Sequence, residues 1–337
     1  MTSLEAIQAA PKVELHLHLE GAIPLPTLWH IIESHGGDPD VRSLHDLETR
    51  FVFTDFAHFI DVWWWMTHYL RTEDDFTRLA TAVATSLVSQ NIVYAEASFS
   101  PSDFERHRLT PQAMALAIRR GLDQVPGTRV VLNVDLVRDV GIERGAATLA
   151  SILEVKDDAD IRGVTIGGSE QTHPPEPYKD IYRSAANAGL RLTAHAGEAA
   201  GPASVVGALE ALGVERIGHG VRAVEDDSLV RRLVEDQTPL EVCPTSNLRT
   251  GVAKDWETHP VGVLLAAGAN VTISSDDPTL FHCTVAGDLC EVTSRFKADP
   301  QELTLAAVTA SWMTEPEKNR VRNRVTEWWD AASAGVG

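Results

Sequence analysis

Eight short apolar runs, separated for the most part by amphipathic stretches rich in Ala, Leu and Glu, leave this chain few architectures to fold into. The predicted strands are Val13–His18, Ile92–Phe99, Arg129–Val137, Ile161–Ile166, Leu190–His195, Glu215–His219, Pro239–Cys243 and Asn270–Asp276. Predicted helices between them include Pro111–Gln124, Tyr178–Ala188, Ala203–Leu212 and Asp227–Glu235. Strand and helix alternating through right-handed crossovers give a parallel sheet, and eight such units close into a (β/α)8 TIM barrel. One connection departs from the pattern. About seventy residues separate the first strand from the second, far more than a crossover needs. The surplus, about 45–90 and centred on Phe51–Gln90, is predicted to be a helical insertion after strand one that stands over the barrel mouth. Trp63, Trp64 and Trp65 cannot all face inward on one helix, so one or two belong to the core and the others to a pocket wall or an interface.

Several of these runs end in residues suited to metal or proton chemistry. In a strand, side chains alternate faces, so His16 and His18 of VELHLHLEG share one face while Leu15 and Leu17 take the other. In LRLTAH the same parity sets His195 with Arg191 and Thr193, opposite Leu190, Leu192 and Ala194. In NVTISSD it sets Asp276 with Asn270, Thr272 and Ser274, opposite Val271 and Ile273. Three strands thus carry ligand-type residues to the C-terminal end of the inward face, where the active site of a closed parallel barrel lies. Each motif alone has a plainer reading: His-x-His occurs by chance, and Asp-Asp-Pro opens helices. Together they would bury polar groups with nothing to bind, at about 1–3 kcal/mol or more each. A divalent ion removes that penalty. Three imidazoles, one carboxylate and an open position for water suit zinc, with His16, His18, His195 and Asp276 as the expected ligands.

Zinc lowers the pKa of bound water to about 7, which makes a nucleophile available at neutral pH. His219 in RIGHG comes from the next strand and can take or hold that proton. Glu198 lies three residues beyond His195, on the loop above the ion, where it can donate a proton to a substrate nitrogen. Asp277 points away from Asp276 and is free to bind substrate. Gly167 and Gly168, at the end of strand four, allow a flat ligand to approach the backbone.

The 337 residues are read as a single metal-dependent hydrolase barrel domain, 1–337. Lys and Arg total 29 against 48 Asp and Glu, a formal net charge of −19. Such a surface opposes phosphate backbones and anionic membranes, so a nucleic-acid polymer and a membrane are not expected partners. A small uncharged substrate suits it better. The 3 cysteines have no paired spacing, and MTSLEAIQAAPKVELH lacks the apolar core of a signal peptide. A cytoplasmic enzyme is expected, its oligomeric state left open.

PKVELHLHLEGAI, GGSE, TAHAGE, ERIGHGV, LEVCPTSN and SSDDPTLF resemble, in order, the motifs of the adenosine/adenine deaminase family, zinc-dependent purine deaminases of the amidohydrolase superfamily. The similarity runs over nearly the whole chain. It implies hydrolytic deamination at C6 of a 6-aminopurine, with His16, His18, His195 and Asp276 as zinc ligands. By the same resemblance Glu198 would protonate N1, and His219 would orient and deprotonate the attacking water. Asp277 would hydrogen-bond N7 and the Gly168 amide would reach N3. Catalytic roles thus fall to Glu198, His219 and Asp277, and substrate contacts to Glu20, Gly168, Asp277 and His18. Binuclear relatives carry a carboxylated lysine after strand four; GVTIGGSE has none, which implies one zinc per chain. The His-x-Glu and Pro-Cys-x-x-Cys pattern of cytidine deaminases is absent.

Substrate signals are mixed. Adenosine deaminases typically carry Asp where this chain has Glu20, as adenine deaminases tend to, and Ser98 and Ser169 replace an arginine and an aspartate of the nucleoside enzymes. GHGVR and DDPTLF look like the nucleoside enzymes, and Gly218 stands where adenine deaminases often carry Asp. An adenosine-like nucleoside is the favoured expectation. The alternatives are adenine or a larger 5′- or 9-substituted adenine derivative. From other classes, a mononuclear metal hydrolase of esters or amides and a purine-binding protein without catalysis remain.

Overall fold

The computed structural model describes residues 3–52 and 56–334. Its strands are β1 (Lys12–His18), β2 (Ile92–Phe99), β3 (Arg129–Asp135), β4 (Ile161–Thr165), β5 (Arg191–Ala196), β6 (Arg216–His219), β7 (Leu240–Val242) and β8 (Val271–Ile273). They hydrogen-bond in sequence order, every neighbour parallel. The ring closes between the residues after β8 and β1. His18 N donates to Asp276 O at 2.8 Å, and Asp276 N donates to His16 O at 3.0 Å. The fold is the (β/α)8 barrel the alternation predicts, and its seam runs through the expected metal ligands.

Helices surround the sheet because each strand has an outward apolar face to cover. In β5, Leu192 and Ala194 are buried toward the helices while Thr193 and His195 take the other parity. Local signals set the helix starts. Thr72 and Asp75 form a capping box before Glu73–Ser89, Thr110 accepts from Ala113 N before Pro111–Leu122, and Asp226 caps Asp227–Glu235. The helix predicted at Ala203–Leu212 runs as Pro202–Gly207 and then widens to a π turn over Ala208–Leu212, ending at Gly213.

Between β1 and β2 lie helices Leu25–Ser34, Leu44–Arg50, Phe56–Thr67 and Glu73–Ser89. Glu73–Ser89 packs on Pro111–Leu122, with Thr77 Oγ1 donating to Ala117 O at 3.0 Å, and so takes the place of the crossover helix. The three tryptophans of Phe56–Thr67 diverge. Trp63 donates to Asp103 Oδ2 at 3.1 Å, Trp65 to Asp38 Oδ2 at 2.9 Å, and Trp64 is 46% exposed beside the Arg106 guanidinium. No described helix is long and apolar enough to cross a membrane.

Candidate active site

His16 and His18 at the end of β1 and His195 in β5 turn their rings to one point above the barrel. His16 Nε2 and His18 Nε2 lie 3.0 and 3.1 Å from His195 Nε2, and 3.4 and 3.3 Å from Asp276 Oδ1. Around an ion with bonds of about 2.0–2.1 Å, tetrahedral neighbours sit roughly 3.3 Å apart, so these separations are edges of one coordination polyhedron. A proton can serve only two of those nitrogens at a time, whereas a divalent cation satisfies all four atoms together. The residues fit a metal.

Asp276 arrives differently from the sequence expectation. The eighth strand ends at Ile273 rather than at Asp276, and Asp276, at φ 65°, pairs beyond it with Leu17 of β1 in a single parallel bridge. Ser275 holds this turn by donating its N–H and Oγ to buried Glu14 Oε1 at 2.8 and 2.5 Å. His219 is also left-handed, at φ 62°. A non-glycine residue in that region costs of order 1–3 kcal/mol, and here two such residues sit at one site. Asp277 stays near this cluster: His18, Asp276 and Asp277 each bring a ligand atom within 4.8 Å of the others.

On the other side of Asp276, His219 Nε2 stands 3.9 Å from Oδ2 and 3.6 Å from Glu198 Oε2. The Asn247 amide lies 3.3 Å from His219 Nδ1. Turning that amide sets Oδ1, otherwise buried without a partner, against Nδ1–H and leaves Nε2 free to accept a proton. Burial holds the His219 imidazole far below its ordinary pKa, at about 3. Glu198 is pushed the opposite way, up to about 8, by burial and then by the Asp276 and Glu170 carboxylates. Burial likewise raises Asp277 to about 8, and Asp276 adds to the effect. A carboxylic acid that keeps its proton near neutrality faces a neutral imidazole, the pairing that proton donation and water activation require.

Sequence reasoning missed the groups that aim these side chains. Glu241 Oε2 accepts from His16 Nδ1 at 2.9 Å, Thr165 Oγ1 lies 3.3 Å from His195 Nδ1, and Ser246 Oγ donates to Asp276 Oδ2 at 2.7 Å. Glu170 accepts from the amides of the loop that carries Glu198. A carboxylate at the far nitrogen of a metal-binding histidine fixes its tautomer. LEVCPTSN and GGSE contained Glu241, Ser246, Asn247 and Glu170, but spacing alone gave them no task.

Three buried carboxylates, Glu20, Asp103 and Asp277, each keep one oxygen without a partner among the described residues. Glu20 follows β1 by two residues and is fully buried; Oε1 accepts from Ser100 N at 3.0 Å and Oε2 has no partner among the described residues. Burial raises its carboxyl to about 7. Asp277 Oδ1 and Asp103 Oδ1 are buried without partners too. At the end of β4, Gly167 N donates to Asp135 Oδ1 at 2.7 Å and Ser169 N to Asp139 Oδ2 at 2.8 Å. Gly168 between them is exposed, on a backbone at φ 93° that suits glycine.

Comparison with known proteins agrees with this geometry. The family model described as adenosine deaminase matches residues 11–328. An adenine deaminase of Rhizobium leguminosarum bv. trifolii is 36% identical over 324 residues, 93% of this chain and 98% of its own. The crystal structure of adenine deaminase from Arthrobacter aurescens superposes with a TM-score of 0.90 at 30% identity, covering 96% of this chain and 100% of that one. An amidohydrolase from Burkholderia ambifaria, solved with bound zinc, gives a TM-score of 0.89 at 25% identity, covering 98% and 94%.

Proposed function

The chain belongs to the adenosine deaminase family and is a hydrolytic purine deaminase, and from that premise we propose that its substrate is the free base adenine. Water replaces the 6-amino group, giving the 6-oxopurine and ammonia. The favoured expectation from sequence was a nucleoside; relatives named adenine deaminase support the alternative. The observation that carries it is Glu20 Oε2, buried and without a partner among the described residues. Adenine presents an N9–H donor, which a carboxylate oxygen can accept. A nucleoside presents a glycosidic bond there instead, which would leave a buried oxygen unpaired.

The remaining contacts match adenine edge by edge. N1, N3 and N7 are acceptors. Glu198 in its acid form donates to N1, the Gly168 amide to N3, and Asp277 in its acid form to N7. His16, His18, His195 and Asp276 would hold one zinc, with His18 also bordering the substrate. Bound there, the metal would supply a water acidic enough to attack at neutral pH. His219 orients the attacking water through Nε2 and accepts its proton. As C6 becomes tetrahedral, electron density moves onto N1, and Glu198 neutralises it by giving up its proton; the contact tightens only as the reaction proceeds. His219 then gives its proton to the amino group, which leaves as ammonia, and the hydroxyl proton passes to Glu198 as the 6-oxo group forms. The helices Leu44–Arg50 and Phe56–Thr67, with Trp63 on Asp103, are placed in this reading over the substrate side of the mouth.

Ammonia release measured on adenine, 9-methyladenine, adenosine and 2′-deoxyadenosine tests the substrate. Adenine should be turned over fastest. Glu20→Ala should lower kcat/KM for adenine by about 1–3 kcal/mol, roughly 5- to 150-fold, and leave 9-methyladenine unchanged. Faster turnover of adenosine than adenine, or equal losses on adenine and 9-methyladenine, would sink the free-base reading.

A further inference from the structure

We propose that Glu170 is the positioning residue for Glu198, tying the turn after β4 and the turn after β5 into one rigid unit. This rests on the reading of Glu198 as the proton donor. Glu170 is 3% exposed and spends both carboxylate oxygens on the backbone of the neighbouring turn. Oε1 accepts from Gly197 N at 2.5 Å; Oε2 accepts from Glu198 N at 3.1 Å, Ala199 N at 2.8 Å and Ala200 N at 3.0 Å. Four consecutive amides that converge on one group form a concave anion site, and here the anion is supplied from within the chain.

The concavity depends on Gly197, whose φ is 72°. A Cβ there would stand 2.5 Å from Val205 Cγ2, so no side chain fits. The outer side of the same turn is held by the segment after β6: Arg222 N donates to Gly197 O at 2.8 Å and Arg222 Nη1 to Ala199 O at 2.6 Å. The backbone of Glu198 is therefore clamped from two sides, while its side chain reaches toward His219. Glu170 stands two residues after Gly168, so the amide assigned to N3 and the acid assigned to N1 belong to one hydrogen-bonded frame. A purine held at N3 then meets its proton donor at a fixed distance. Misplacement by about 1 Å can cost on the order of 10²-fold in rate, which sets the size of the expected effect.

The test compares metal-loaded Glu170→Ala, Glu170→Gln and Glu198→Gln enzymes on adenine. Glu170→Ala should lower kcat about 100-fold with KM changed only a few-fold and with metal content unchanged. Formate, which can occupy the vacated amide nest, should restore kcat in a saturable manner. Glu170→Gln, which keeps one acceptor oxygen, should fall between. Formate should give no rescue of Glu198→Gln. In the metal-free Glu170→Ala protein, amide hydrogen exchange should rise at 197–200 and not across the barrel strands. A Glu170→Ala enzyme with near-normal kcat beside an inactive Glu198→Gln enzyme overturns the positioning role alone. A fully active Glu198→Gln enzyme overturns the role of Glu198 and this proposal with it. Loss of metal and of folding in Glu170→Ala, without formate rescue, makes Glu170 a structural residue and also overturns it.

Discussion

Two clusters of buried charge lie one above the other in this barrel, and they are built by opposite rules. In the lower one, Arg216 Nε donates to Glu241 Oε1 at 2.6 Å and Nη2 to Glu96 Oε2 at 2.5 Å. Arg216 Nη1 donates to Ala310 O at 2.9 Å, and the guanidinium covers the Trp312 ring at 3.8 Å. Glu96 Oε1 accepts from Tyr94 Oη at 3.0 Å and from Trp312 N at 2.7 Å. Each carboxylate oxygen of that cluster has a partner. In the upper cluster, Glu20, Asp277 and Asp103 each keep an oxygen with none, and imidazole nitrogens face one another at hydrogen-bond distance. Burial is the same in both; satisfaction is not. Charges that complete one another hold a fold together, whereas charges left incomplete toward a common centre mark where a ligand supplies what is missing.

The largest expected effect breaks the lower cluster. Arg216→Met leaves two buried carboxylates without their counter-charge and should cost about 3–5 kcal/mol in urea denaturation of the metal-free protein. A loss below about 1 kcal/mol would mean that the lower cluster is no better completed than the upper one.

Glu241 joins them, since its other oxygen accepts from His16 Nδ1. Glu241→Gln should weaken metal binding about 10- to 100-fold in competition with a chelator. Unchanged affinity would separate the clusters and leave His16 oriented by packing alone.

A third effect, confined to one end of the pH range, belongs to Asp277. Its folded pKa, near 8, lies above the ordinary carboxylate value, so the folded state holds a proton that the unfolded chain releases. The contribution to stability is complete below the unfolded pKa of about 3.9 and is lost as pH rises toward 8. Asp277→Asn removes this dependence. The metal-free variant should match or exceed the parent in stability at pH 8, while kcat/KM for adenine falls. A clear destabilisation at pH 8 would show that Asp277 is structurally paired.

Strand parity and helix caps are local properties, so the sequence alone determined the eight-unit barrel, the shared face of His16 and His18, and the order of the motifs along the chain. It also showed that Glu198 and His219 lie beside expected ligands, because each is a few residues from a strand end. Other matters were decided only when the barrel closed. The left-handed turn at Asp276 depends on Glu14, whose partner Ser275 is 261 residues away. The orientation of His16 depends on Glu241, 225 residues away. Glu170 became a clamp only when β4 and β5 set their turns side by side, and Glu20 became a buried oxygen without a partner only under the neighbouring Ser100 and Asp103 segment. A linear pattern reports which residues share a face. It does not report which polar atoms are left unpaired after folding, because that depends on every segment packed around them.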